Sequence, residues 1–244
     1  MGLSQPDFVE SDTSICSRAK EPDMRWYTTS LGKKFIMGIT GLLMVVFVLA
    51  HMLGNLSTFG GANGLNAYAE HLRVFPPGLW AFRGLMALAF VVHIITGVLL
   101  YLENRAARPV PYANKKNDRT TFSALTMVWT GILLGIFVLI HLLQFTLHAF
   151  NAEWAHLVDA MGRFDVFTMV SAGLSNPLWA AFYIGAVVVL LLHLLHGIQS
   201  FFQSLGLTNE NTFCSINLGG KFVAFVLAVG FVLIPLTIFF GIVK

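Results

Sequence analysis

The sequence predicts an all-α membrane protein, an integral bundle of five transmembrane helices, and three observations support this fold class. Of the 244 residues, 56% are hydrophobic and only 11% are charged, which is less than half the charged share of an ordinary soluble domain. A soluble fold of this size could not cover so much apolar surface with polar side chains. Five apolar stretches are each long enough to cross a bilayer as helices, at about 20 residues per crossing, and they lack the alternation of barrel strands.

The five predicted spans follow one another along the chain without an internal repeat. They cover residues 35–56, 79–102, 125–147, 177–202 and 222–243. Pro177 suits the first turn of the fourth helix, because the N–H that proline lacks would be unpaired there in any case. Between the third and fourth spans, residues 148–176 are mildly amphipathic and predict a short helix lying on the membrane. Residues 1–29 are predicted as a polar cytoplasmic extension, and residues 30–244 as the spanning domain.

Lysine and arginine set the predicted orientation of the bundle. Lys33 and Lys34 precede the first span, Lys221 precedes the fifth, and five further cations fill the loop between the second and third spans. These are Arg105, Arg108, Lys115, Lys116 and Arg119. Because cytoplasmic loops carry the excess of such residues, the N-terminus is predicted in the cytoplasm and the C-terminus outside. The net charge of +3 is small and does not indicate nucleic-acid binding.

Histidine is the ionisable residue that recurs inside the predicted spans. The five on the first four spans are, in order, His51, His93, His141, His193 and His196. Ionisable groups are costly inside a membrane, so each one indicates a function. At 1.5 Å per residue, His51 lies roughly 27 Å beyond Lys33, and His141 lies near the outer end of its span. These two share a level, while His93 and His196 share a deeper one.

Two histidine pairs on facing helices predict two bis-histidine haem sites. Imidazoles on both sides of a haem iron leave no open position for oxygen, so such a haem transfers electrons only. Helix bundles build cofactor sites in this way, and two sites at two depths would connect the faces of the membrane. His193 lies on nearly the same face as His196, and only the space beside Gly197 favours His196. A hydrogen bond between helices is the alternative role of any single histidine.

Five segments of the chain resemble a known family. They are AHMLGNLSTFGG around His51, NAYAEHLR after it, VVHIITGVLLYLENR around His93, WTGILLGIFVLIHLLQF around His141 and LLHGIQSFFQSLG around His196. From about Ser30 onward the chain resembles the cytochrome b subunit of succinate:quinone oxidoreductases, the single-subunit membrane anchor with two haems b. The resemblance implies His51 and His141 as ligands of an outer haem, and His93 and His196 as ligands of an inner haem.

The resemblance also implies partners, a substrate and a location. A flavoprotein with FAD and a subunit with iron–sulfur clusters would bind at the cytoplasmic face, and the heterotrimer could associate further. Quinone, often menaquinone in this branch, would exchange electrons with the haems in the bacterial cytoplasmic membrane. The chain would then be the electron-transfer and quinone-reactive subunit of a succinate dehydrogenase, or of a fumarate reductase, with no succinate site of its own. Leu194 stands where some relatives carry a glutamate thought to move protons.

Polar residues that follow the first span are the candidates for a quinone site near the outer haem. They are Asn55, Ser57, Tyr68, Glu70, His71 and Arg73. An ordinary solvated loop is the alternative interpretation of this segment, since loops are polar in any case.

Two other functions are compatible with the same spans. The anchor of another respiratory dehydrogenase, such as a hydrogenase or a formate dehydrogenase, would hold the same haems but bind other partners. A transporter with a histidine proton relay would hold no haem. The spans show no pair of broken helices at matching places in two repeats, which counts against the transporter.

Overall fold

The computed structural model describes residues 25–107, 110 and 120–243, and eight α-helices occupy most of them. The helices are α1 (Ser30–Asn55), α2 (Gly61–Arg73), α3 (Pro76–Ala106), α4 (Phe122–Leu125), α5 (Met127–Phe145), α6 (Val166–Ser175), α7 (Pro177–Ser204) and α8 (Phe213–Phe239). These described residues form no β-strand, and one antiparallel bridge joins Val158 to Phe164. The predicted all-α class is confirmed. Most of the predicted N-terminal extension, residues 1–24, lies outside the described residues.

Five of these helices, α1, α3, α5, α7 and α8, are long and apolar enough to cross a membrane. The predicted number of spans is therefore confirmed. Three of the helices begin earlier than predicted, α1 at Ser30, α3 at Pro76 and α8 at Phe213, because a helix continues through turns that an apolar window leaves out. At the start of α1, the Thr29 side chain accepts a hydrogen bond of 3.0 Å from the amide of Gly32, which caps the helix. The orientation of the termini stays a prediction.

Helices α1 and α7 form the centre of the bundle. α7 packs along α8 and also contacts α5 and α1, while α1 packs along α3. Contacts between Gly41 and His93, and between Phe47 and Phe82, show that α1 and α3 run in opposite directions. One end of the bundle therefore holds the ends of α1 and α5 and the starts of α3 and α7. We call it the distal end, and we call the opposite end, where α1 begins, the proximal end.

Helix α2 occupies a segment that the sequence predicts as a polar loop. Its Leu65 is 3% exposed and belongs to a buried apolar cluster with Phe167 and Leu174 of α6. Short helices are marginal by themselves, and the packing of one apolar face stabilises them. The contact with α6, about a hundred residues later in the chain, therefore selects the helix. The predicted short helix between the third and fourth spans is present as α6, and its position relative to a membrane stays a prediction.

A polar clamp holds α2 against the loop that leads into α6. The side-chain amide of Asn66, which is fully buried, donates to Asp165 at 3.0 Å and to Asp159 at 3.2 Å, and its oxygen accepts from the Phe167 amide at 2.9 Å. Asp159 also pairs with Arg163 at 2.7 Å. Hydrogen bonding from Arg163 lowers the pKa of Asp159 to about 2. The clamp closes the distal end of the bundle with every one of these polar groups paired.

Candidate functional site

Two histidines face each other near the distal end of the bundle. His51 lies on α1 and His141 on α5, and each stands four residues before the end of its helix. Their ring centroids are 5.9 Å apart and their planes are nearly perpendicular, at 85°. The structure brings together the two residues that the sequence assigns to the outer level, and we call them the distal histidine pair.

A hydrogen-bonded relay orients the His141 ring. The Tyr183 hydroxyl donates its one proton to Oε1 of Gln144 at 2.9 Å, so its oxygen accepts from Nδ1 of His141 at 3.1 Å. Nδ1 therefore carries the hydrogen, and Nε2 keeps a free lone pair. Gln144 is 1% exposed, so the relay is enclosed by the bundle. Metal-bound histidines are usually held in this way, by a hydrogen bond from the nitrogen that does not bind the metal.

Aromatic side chains enclose the distal histidine pair. Phe47 stacks on His51 with ring centroids 5.4 Å apart, and Phe137 stacks on His141 at 5.8 Å. Phe231 of α8 approaches His51 at 6.1 Å. These rings keep water away from the imidazoles, and a low local dielectric strengthens the polar interactions among them.

A third histidine lies between α1 and α3, nearer the proximal end. Nδ1 of His93 is 3.1 Å from the carbonyl oxygen of Met37 and 3.3 Å from Oγ1 of Thr40. A carbonyl only accepts, and the Thr40 hydroxyl donates to the carbonyl of Ile36, so the imidazole is the donor and its Nε2 is free. Gly41 leaves space beside the ring, because a Cβ there would lie 3.1 Å from Cε1 of His93.

The ring in contact with His93 is that of His193 on α7. Their centroids are 6.4 Å apart, with an angle of 65° between the planes. Nδ1 of His193 donates to Oγ1 of Thr130 at 3.1 Å, since the Thr130 hydroxyl proton goes to a carbonyl of α5. A Cβ on Gly131 would lie 3.4 Å from Cε1 of His193. Each imidazole of this contact therefore has a glycine at its edge and a free Nε2.

His196, which the sequence pairs with His93, lies one turn further along α7. The side chain is partly buried and makes no hydrogen bond with the described part of the chain. Gly197 beside it faces the end of the Met127 side chain, at 3.5 Å from an added Cβ. We call His93, His193 and His196 the proximal histidine cluster. The structure brings His193 rather than His196 against His93, and the assignment of His196 as a haem ligand stays a prediction.

The two levels are separated by a similar distance on both sides of the bundle. On α1, His51 is ten residues from Gly41, which lies against His93. On α5, His141 is ten residues from the ring-facing Gly131. Ten residues of helix rise about 15 Å. The fold thus contains one histidine contact at each of two depths.

The six predicted quinone residues separate into two groups. Asn55 and Ser57 donate to carbonyl oxygens of the last turns of α1, at 2.8 and 2.6 Å, and the Tyr68 ring packs against Gly54. The other three lie on the exposed side of α2, and they are Glu70, His71 and Arg73. Of the six, Arg73 alone lines the cavity of about 320 Å³ found at this end of the described chain. The six residues are thus close in sequence, but they do not line that cavity together.

Sequence reasoning missed the residues that orient the imidazoles. Thr130 and Gln144 are polar residues inside an apolar span, and Gln144 stands one turn from His141, so their position in the membrane was the available signal. Tyr183 gave no comparable signal, because it contacts His141 from 42 residues away along the chain.

The fold and the histidine contacts define the class of protein, but not its function. By length and composition, the five apolar helices make this a multi-pass membrane protein, and its histidines meet at two depths inside the bundle. Comparison with protein-family models, with curated proteins and with solved structures finds no match in any of the three. Inference about function therefore rests on the residues of this chain.

Proposed function

We propose that this chain is a dihaem cytochrome b, the membrane anchor of a bacterial succinate:quinone oxidoreductase, which passes electrons between an iron–sulfur subunit and membrane quinone. One observation supports the dihaem class above all others. Histidine rings meet at two depths, with centroids 5.9 Å apart at the distal level and 6.4 Å apart at the proximal level. The narrower assignment to succinate:quinone oxidoreductases rests on the resemblance of the histidine segments.

The separation of His51 and His141 suits two imidazoles that share one iron, and the separation of His93 and His193 does so too, which makes His193 the rival of His196 at the proximal level. A metal–nitrogen bond of about 2 Å on each side, together with the radius of each ring, separates the two centroids by roughly 6 Å. A bare transition-metal ion takes three or four protein ligands, and the described residues contain no group of three or more His, Cys, Asp or Glu that could hold one. A haem supplies four nitrogens itself and needs only two from the protein. Contacts of two histidines therefore favour haem.

We assign the haem ligands as the resemblance implies. His51 and His141 would hold the distal haem, and His93 and His196 the proximal haem. When bound, each haem b supplies one-electron transfer at its iron. His193 is the rival of His196, because its ring stands against His93 and its Nδ1 is hydrogen-bonded to Thr130. Substitution of the two histidines separates these assignments.

The chain's own residues would position and insulate these groups. Hydrogen bonds from Nδ1 of His93 and His141 fix each ring so that Nε2 is free to bind iron. Phe47 and Phe137 keep water from the distal level. The levels lie about 15 Å apart in a hydrocarbon layer about 30 Å thick. Two haems at these levels would divide the path of an electron across the membrane into shorter steps.

We further propose that the proximal end faces the cytoplasm and meets the flavoprotein and iron–sulfur partners. The positive-inside rule supports this orientation, with Lys33, Lys34 and Lys221 at that end. An ion pair between Lys33 and Glu103 joins α1 to α3 there. Quinone would react at the distal end, where the six polar candidates lie.

A reduced-minus-oxidised spectrum with pyridine haemochrome quantitation on the purified complex tests the dihaem class. Two haems b per chain are expected, and a preparation without haem overturns the proposal. Co-purification then tests the narrower identity. A flavoprotein with covalent FAD and succinate-dependent quinone reduction are expected, whereas a hydrogenase or formate dehydrogenase partner would assign the chain to another dehydrogenase.

A further inference from the structure

A cavity of about 320 Å³ lies at the distal end, between the corner that joins α2 to α3 and the end of α5. Its polar wall consists of Arg73 at the end of α2, Arg83 on α3, and Thr146 and His148 just after α5. Leu79 and Phe145 supply part of its apolar wall. The cavity therefore combines two cations and an imidazole with apolar surface, outside the two histidine contacts.

The two arginines form no ion pair with an acidic side chain among the described residues. Instead, the guanidinium carbon of Arg73 lies 4.2 Å from the centre of the Phe164 ring, and that of Arg83 lies 4.9 Å from the Trp80 ring. An aromatic face stabilises a cation only modestly, so two like charges on one cavity still attract an anion. Trp80 is one turn nearer the start of α3, so Arg83 extends towards the end of the bundle, as cationic side chains do near an interface.

His148 adds a hydrogen-bonding group without a partner. Its Nε2 is buried and has no hydrogen-bond partner in the described part of the chain. Its φ of 52° is a left-handed conformation, which residues other than glycine rarely adopt except where the surroundings impose it. Burial lowers the pKa of His148, and the charge of Arg73 lowers it further. A buried polar atom of this kind calls for a partner that the protein itself does not supply.

We propose that this cavity binds the phosphate group of an anionic phospholipid, with Arg73 and Arg83 as charged contacts and His148 as a further hydrogen-bonding contact. The depth fits, because Trp80 beside the cavity is 65% exposed, and interfacial tryptophans lie at the level of the headgroups. The volume is at the lower end of the range of about 300–1,000 Å³ for ligand pockets, which suits a headgroup. Leu79 and Phe145 would contact the start of an acyl chain.

A carboxylate of the proposed distal haem is the other source of an anionic oxygen. Phe145 lies between the cavity and His141, and its ring centroid is 5.7 Å from that of His141. The phospholipid is favoured because Arg73 and Arg83 are exposed on the surface of the bundle, where bilayer lipid reaches them directly. This inference needs only the bilayer and does not depend on the haem proposal.

Native mass spectrometry of the full chain, released from nanodiscs of dioleoylphosphatidylcholine and dioleoylphosphatidylglycerol, tests the inference by counting retained lipids. The natural protein should retain phosphatidylglycerol in preference to phosphatidylcholine. The Arg73→Gln/Arg83→Gln variant should bind phosphatidylglycerol roughly 30-fold more weakly, from the usual contribution of two interfacial arginines. The matched control is Arg105→Gln/Lys221→Gln, which removes two cations of the proximal end that do not line this cavity, and it should weaken retention much less.

Equal retention of phosphatidylglycerol by the two double variants overturns the inference, as does equal retention of the two lipids by the natural protein. Unchanged lipid retention with a shifted haem potential would assign the cavity to a haem carboxylate, which also overturns it. If the glutamine variant does not fold, Arg73→Lys/Arg83→Lys replaces it, because lysine keeps the charge but loses the planar fork that binds phosphate. Retention weakened severalfold supports the inference, and unchanged retention overturns it. Haem-free protein that retains the lipid would refute only the haem proposal.

Discussion

The distal histidine pair and the proximal histidine cluster use the same side chain, but the fold specifies them to different degrees. At the distal level each helix supplies one histidine, and His51 faces His141 without a competitor. At the proximal level α7 supplies His193 and His196, one turn apart, for the single His93 of α3. Contact between two imidazoles therefore singles out one candidate ligand pair only where each helix offers one histidine.

The surroundings of the two levels also differ. Phe47 and Phe137 stack on the distal rings, whereas Gly41 and Gly131 stand at the edges of the proximal rings. Missing side chains leave room for the imidazoles at the proximal level, whereas aromatic rings pack against them at the distal level. The two levels should consequently respond differently to changes in side-chain size.

The largest expected effect is the loss of one haem while the other remains. If the proposed haems are present, His51→Ala should lower the haem content from two to one per chain and leave the proximal haem, because the distal haem would lose an axial ligand. His93→Ala should leave the distal haem instead. Pyridine haemochrome assays and redox titration measure this, and His71→Ala, on the exposed side of α2, should keep both haems. Loss of both haems in either variant would show that the two levels are not independent sites.

The choice between the two histidines of α7 is the sharpest test of the comparison. His196→Ala should lose the proximal haem, whereas His193→Ala should keep two haems per chain. The two variants remove the same side chain one turn apart on one helix, so each controls for the other. The reverse result would make His193 the ligand, and the ring contact at 6.4 Å would then have identified the pair directly.

The next largest effect should come from a larger side chain at the proximal level. Gly41→Val should destabilise the protein by about 1–3 kcal/mol through overpacking and lower the content of the proximal haem, since even a Cβ would lie 3.1 Å from His93. Gly84→Val carries the same helix penalty on α3 and meets no atom within 4 Å. Thermal unfolding and haem content of the two variants measure the difference. Equal losses would mean that Gly41 does not provide space for the ring.

Features that are set by the residues of a single helix could be predicted from the sequence. A span is a property of about 20 consecutive residues, and the depth of His51 follows from its distance along α1. Helix α2 and the clamp at Asn66 could not be predicted, because their partners lie about a hundred residues away. His193 and His196 are three residues apart on α7, and the rotation of α7 about its axis determines which of them contacts His93. The sequence alone does not fix that rotation.

The clamp gives the distal end a stability that depends on pH in the acid range. Because Arg163 lowers the pKa of Asp159 to about 2, below the ordinary value of about 3.9, its contribution to stability is complete above about pH 4. That contribution is lost as the pH falls through about 2. Asp159→Asn should lower the melting temperature at pH 6 and reduce its further fall towards pH 2, measured by scanning fluorimetry. Glu210→Gln, an exposed residue before α8, should leave the acid dependence unchanged, and an unchanged profile in Asp159→Asn would contradict the role of the clamp.

The smallest expected effect is a shift in the reduction potential of the proposed distal haem. The Tyr183 hydroxyl accepts from Nδ1 of His141, which makes the imidazole a stronger electron donor and favours oxidised iron. Tyr183→Phe removes a hydrogen bond worth about 1 kcal/mol, so the distal potential should rise by roughly 40 mV for a one-electron couple. The proximal potential should not change, and Tyr101→Phe, outside both histidine contacts, should change neither. A shift confined to the proximal haem would reverse the assignment of the two levels, and no shift at all would show that the relay orients His141 without tuning it.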